Sequence, residues 1–134
     1  MKLYLTDTNV LIYALAGKSP WAALLKTWIK KKQLALSSIV VAEFLSGATS
    51  AEAETFEALL DKFGSLPIDT ATARVAANYR KQFSPKGYKL KLPDCLIAAT
   101  CKIYKAKLVT FNPSDYPMKD ICIYKPIPSK PPSP

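Results

Sequence analysis

The sequence predicts an α/β fold with a mostly parallel sheet. Three observations carry that reading: five short β-prone runs, amphipathic helical patterns between them, and serine, aspartate or proline where several of the helices would begin. The length of 134 residues suits one domain, and 49% apolar with 22% charged residues is a globular balance.

Each element has its own signal. Residues 2–6 (KLYLT) are β-prone and end at Asp7, where an aspartate can open a helix as its N-cap. Trp21, Leu24, Leu25, Trp28 and Ile29 recur at i, i+3, i+4, i+7 and i+8, one face of a helix. Residues 34–36 form a brief strand after Lys30–Lys32, and Ser37 or Ser38 can cap a helix through residues 40–46. Phe56, Leu59, Leu60 and Phe63 mark the next helix, with Glu52, Glu54, Glu57 and Asp61 on its polar face. Residues 66–68 read as a strand after Gly64, and Asp69 caps a helix from Thr70 that carries Val75, Tyr79 and Phe83. Pro93 suits the first turn of a helix on which Ile97, Cys101 and Tyr104 share a face. Residues 107–110 (KLVT) are the clearest buried strand, and residues 120–124 (DICIY) the last. Five of the 11 prolines fall in residues 125–134, which read as a Pro-rich, disordered tail; the globular unit spans residues 1–124.

Composition narrows the chemistry. With no histidine, neither a Ser-His-Asp system nor a His-ligated zinc site is possible within one chain. Cys95, Cys101 and Cys122 form no CxxC pair, which fits reduced thiols in a cytoplasm. The first 17 residues lack the basic start and clean apolar run of a signal peptide, and no stretch is long and apolar enough to span a membrane. A net charge of +9 points to a polyanionic partner. Acid–base or metal work then falls to the ten carboxylates.

In parallel sheets ligands sit beyond the carboxyl ends of the strands. Asp7 lies there, a place that suits an N-cap and equally a catalytic carboxylate. Glu43 is the only charge between Lys32 and Glu52, in a strongly apolar helix. Asp94 is the only acid from Thr70 to Ser114 among nine basic residues. Asn112 and Asp115 follow the clear strand, in a segment that is also a turn signal. Taken together they could form a pocket of oxygen ligands, which favours Mg²⁺ or Mn²⁺ over zinc or copper.

Four motifs in order resemble the PIN-domain family. They are Asp7-Thr8-Asn9 after the first strand, Ala42–Leu45 (AEFL), Leu92–Ala99 (LPDCLIAA) and Leu108–Tyr116 (LVTFNPSDY). The resemblance spans roughly residues 1–124. It implies a three-layer α/β/α fold and a Mg²⁺- or Mn²⁺-dependent endoribonuclease, the toxin of a VapBC-type toxin–antitoxin pair. RNA would be the substrate, a cognate antitoxin protein the partner, and a cytoplasmic homodimer the form. The helix of Trp21 and Trp28 is a candidate dimer surface. By resemblance Asp7 and Asp94 hold the metal directly, Glu43 acts directly or through water, and Thr110 and Asn9 support the site. The fourth position falls to Asn112 as a metal ligand or to Asp115 as an acid. An amide holds a second metal more weakly than a carboxylate.

Two other readings compete. A non-catalytic RNA-binding module would use the basic span 74–107 with its interleaved aromatics Tyr79, Phe83, Tyr88 and Tyr104. An aspartyl-nucleophile phosphatase typically needs a second aspartate two residues after the first, where this chain has Asn9.

Overall fold

Two adjacent parallel strands, both buried, organise the molecule. The computed structural model describes residues 2–125. Strand β1 (Leu3–Thr6) pairs with β3 (Ala106–Val109) in parallel, with Leu5 opposite Leu108 and Thr6 opposite Val109. Leu5, Leu108 and Val109 are fully buried, so both faces of this pair are covered, as the apolar runs demand. β2 (Leu34–Ala35) flanks β1, and β4 (Cys122–Ile123) flanks β3. The order is β2-β1-β3-β4 with every pairing parallel.

Six α-helices fill the connections among the described residues. Helices α1 (Thr8–Leu15) and α2 (Trp21–Lys30) join β1 to β2. Helices α3 (Ser38–Gly47), α4 (Ser50–Phe63), α5 (Thr70–Phe83) and α6 (Leu92–Tyr104) join β2 to β3. The two crossovers run in opposite directions across the sheet. Right-handed connections of opposite direction lie on opposite faces, which gives the three-layer α/β/α arrangement.

The helix starts follow local chemistry. Asp7 accepts from Val10 N at 3.1 Å, Ser37 from Val40 N at 3.2 Å and Asp69 from Thr72 N at 2.9 Å. Thr49 and Glu52 close a reciprocal capping box, so Glu52 is a capping residue as well as part of a polar face.

Several expectations change. Residues 66–68 are not a strand: Leu66 makes a single parallel bridge to Ser37, and the segment beside it turns into helix α3 at Ser38. Trp21 and Trp28 are 6% and 4% exposed, so both rings belong to the core, and the face that helix α2 offers outward carries Ala23, Lys26, Thr27 and Lys30 instead. Trp28 stacks on Tyr4 at 4.8 Å and meets Tyr124 edge-on at 5.5 Å, which places it in the core against the sheet. Asp120, without a foreseen partner, pairs with Lys102 at 2.8 Å and accepts from the Tyr79 hydroxyl at 2.8 Å. The three cysteines are free thiols, and burial pushes Cys101 up to about 12. No helix of the described residues is long and apolar enough to cross a membrane. The Pro-rich tail expected over residues 125–134 lies, apart from Lys125, outside the described residues.

Candidate active site

The strand order places the site. β1 leads to β2 on one side and stands beside β3 on the other, so the sheet changes direction between β1 and β3. A crevice opens at the carboxyl ends of such a pair. Asp7 follows β1 and Thr110 follows β3, and the Asp7 N–H continues the ladder to Val109 O at 3.0 Å. Thr110, wholly buried, donates its hydroxyl to Asp7 Oδ2 at 2.5 Å. Asp7 is therefore both the N-cap of α1 and one wall of the crevice. The two readings of its position do not compete.

The other acids arrive from separate elements. Asp7, Glu43, Asp94 and Asp115 line one open cleft of about 490 Å³, together with Asn9 and Asn112. Glu43 is on the exposed side of α3, where Val40 and Phe44 take the buried side, and Thr8 donates to its Oε1 at 2.6 Å. Helix α3 touches both α1 and α6, which brings Glu43 to the cleft without the cost of burying it in the core. Asp94 sits in the first turn of α6, but the cap residue is Lys91 and no side chain caps that helix. Among the described residues, its one hydrogen bond from another side chain comes from the Tyr116 hydroxyl at 3.4 Å. Capping therefore does not account for Asp94.

Asn112 and Asp115 flank and close a short 3-10 turn, Pro113–Asp115. The Asn112 N–H donates to Thr110 Oγ1 at 3.1 Å, so this turn also secures the threonine that holds Asp7. The carboxylate of Asp115 is the charge that most raises Asp94, so it stands on the Asp94 side of the cleft.

The electrostatics are those of like charges held together. Burial pushes the Asp7 carboxyl up to about 6; bonds from Thr110 and Val10 oppose the rise, and the charges of Asp94 and Glu43 add to it. Burial also raises Asp94, with Asp115 and Glu43 adding to it and Tyr116 and Lys91 opposing it. Burial and the surrounding carboxylates push the Tyr116 hydroxyl far up, so it remains a neutral donor. Among the described residues the single ion pair is Lys102 with Asp120, so none of the four cleft acids is paired. Of the nine basic residues between Thr70 and Ser114, Lys91 alone lines the cleft. Helices α5 and α6 carry four of them, Arg74, Arg80, Lys81 and Lys102, and the others sit in the turn, loop and strand segments around those helices.

Unpaired acids facing one another leave room for a cation. The donor set is entirely oxygen, which suits a hard ion. No three Asp, Glu or Cys side chains of the described residues close around one point. A cation here could be held by one or two carboxylates, completing its shell with water and substrate oxygens, as Mg²⁺ does. Two contributors were not foreseen. Thr8 and Tyr116 lie inside the quoted motifs, but nothing in a linear sequence shows that their hydroxyls reach Glu43 and Asp94.

Known proteins resemble this chain over most of its length. The family described as the PIN domain matches residues 4–118. Ribonuclease VapC10 of Mycobacterium tuberculosis is 31% identical over 116 residues, covering 87% of each chain. A chain of the VapBC2 complex of Rickettsia felis, bound to a DNA fragment from its promoter, superposes with a TM-score of 0.77 at 22% identity, covering 91% of this chain and 97% of that one. A chain of a toxin–antitoxin complex from Klebsiella pneumoniae superposes with a TM-score of 0.69 at 28% identity, covering 90% of this chain and 99% of that one.

Proposed function

The chain belongs to the PIN-domain family, and from that premise we propose that it is a metal-dependent endoribonuclease, the toxin of a VapBC-type pair. The observation that carries the proposal is the convergence of Asp7, Glu43, Asp94 and Asp115, unpaired by any described cation, in one cleft beyond β1 and β3. Its similarity to a named ribonuclease supplies the class of substrate.

In this reading Asp7 and Asp94 hold Mg²⁺ or Mn²⁺, with Asn112 as a weaker neutral ligand. The ion, when bound, neutralises phosphodiester charge and lowers the pKa of a water. The chain's own groups do the positioning. Thr110 holds Asp7 Oδ2 and the Val10 N–H holds Asp7 Oδ1, each oxygen keeping a lone pair for a cation, and Thr8 holds Glu43 Oε1. Glu43 and Asp115, both exposed, are placed to orient water and accept its proton. Tyr116 holds Asp94 as a neutral donor. Asn9 lines the mouth, where an amide can contact a phosphate or sugar oxygen.

An antitoxin partner is supported by the Klebsiella complex, and a cytoplasmic homodimer completes the proposal. The decisive experiment is cleavage of RNA by the purified full chain with Mn²⁺, with excess EDTA, and as Asp94→Asn. Cleavage should need the metal and fall on the order of 10²–10⁴-fold in the variant. Cleavage that persists unchanged in EDTA overturns the mechanism.

A further inference from the structure

A second groove, of about 370 Å³, opens next to the acidic cleft and shares Lys91 with it. Arg80, Tyr88 and Lys89 line it, on a floor that includes Leu90. Lys91 is the cap residue of α6, three positions before Asp94, so one element carries the boundary between groove and cleft.

The groove differs from the cleft in the sign of its charge. Its charged side chains are all basic, and none of them is in an ion pair among the described residues. Tyr88 is 44% exposed, whereas Tyr79 and Phe83, from the same basic span, are 4% and 7% exposed and belong to the core. The exposed ring is not a loose one. Phe83 meets it edge-on at 5.6 Å, and the Tyr88 N–H donates to Phe83 O at 3.2 Å. Gly87, at φ +87°, makes the left-handed turn that returns the chain to Phe83 after the 3-10 turn Ser84–Lys86. Leu90, 9% exposed, anchors the far side. A fixed aromatic face among unpaired cations is the combination that binds a single-stranded nucleic acid, the bases by stacking and the backbone by charge.

We propose that this groove is the seat of the RNA segment flanking the scissile phosphate: a base stacks on Tyr88 while backbone phosphates meet Arg80, Lys89 and Lys91. The proposal rests on the ribonuclease reading and assigns part of its substrate binding to one side of the cleft. Lys91 then carries the strand from the basic groove to the acidic cleft, where the scissile phosphate lies.

The test measures binding of a fluorescein-labelled, unstructured 12-mer RNA to the full chain in EDTA by anisotropy, so that nothing depends on cleavage. Tyr88→Ala should weaken Kd about tenfold, and Tyr88→Phe should keep it. Arg80→Gln with Lys89→Gln should reduce the magnitude of the salt slope, log Kd against log salt, by about 1.4, two single-strand phosphate contacts. Lys30→Gln with Lys31→Gln removes the same charge elsewhere and should change neither. Thermal melts of each variant separate lost folding from lost binding, and Tyr88→Trp serves where Tyr88→Ala is unstable, with affinity kept or raised. Equal affinity of wild type and folded Tyr88→Ala, or an unchanged salt slope in the double variant, overturns the groove. Metal-dependent cleavage alongside that result leaves the ribonuclease reading standing, whereas loss of that reading shows as absent cleavage in Mn²⁺.

Discussion

The hydroxyl of Thr110 donates to Asp7 Oδ2, linking two residues 103 positions apart in the chain. The bond exists because β1 and β3 are parallel neighbours, which sets the first residue after each strand side by side. It fixes one oxygen of a carboxylate whose other oxygen faces the α1 terminus and the cleft. Several consequences can be measured.

Thr110→Val keeps volume and burial but removes the donor. Asp7 loses the strongest of the influences that lower its pKa, so its carboxyl should rise above about 6. A hydrogen bond to a charged group is worth about 1.5–3 kcal/mol, so metal-dependent kcat/KM should fall on the order of 10–100-fold. The acid limb of the pH–rate profile should move to higher pH, and Thr110→Ser should restore it.

Asp7→Asn should stabilise the metal-free protein at neutral pH while abolishing cleavage. The folded carboxyl titrates at about 6 and the unfolded one near 3.8, so between these values the folded chain alone holds the proton. Stability is full below about pH 4 and falls as pH rises through about 6. Asparagine keeps the helix cap and does not ionise. Urea unfolding at pH 7 in EDTA should show a gain on the order of 2 kcal/mol, absent at pH 4.

Metal affinity should follow the same proton in the opposite sense. A cation competes with it for Asp7, so apparent Mn²⁺ affinity should drop as pH falls through about 6. Isothermal titration in buffers of different ionisation heat should detect proton release on binding at pH 5.5 and little at pH 8.

Tyr79→Phe tests the structural network on the far side of α5. Asp120 accepts from both Tyr79 and Lys102; burial works against its charge, but these bonds outweigh it and hold the carboxyl below its usual range. Loss of one of two partners should cost about 1 kcal/mol in denaturant unfolding, with cleavage unchanged.

Trp28→Ala should unfold the chain rather than dissociate it. Burial between Tyr4 and Tyr124 predicts a loss of about 3–5 kcal/mol. Sedimentation of the folded fraction should give the wild-type oligomeric state.

The sequence by itself determined the helices with long apolar periodicity, such as α2 and α5, and the caps at Asp7, Ser37 and Asp69, because these depend on residues within a few positions of one another. It also determined that no metal site of one chain can use histidine, and with ten carboxylates and no CxxC pair it pointed to oxygen ligands. Residues 66–68 are apolar without being a strand, because apolar character does not reveal whether a backbone finds a ladder, and the segment beside Leu66 turns into helix α3 at Ser38. Tertiary structure alone decided which charges meet. In sequence Asp94 stands among cations; in space it faces Asp115 and Glu43, and of those cations Lys91 alone lines the cleft. Strand order likewise joined Asp7 to Thr110, a pairing that no local pattern encodes because it depends on which strands are neighbours in the sheet.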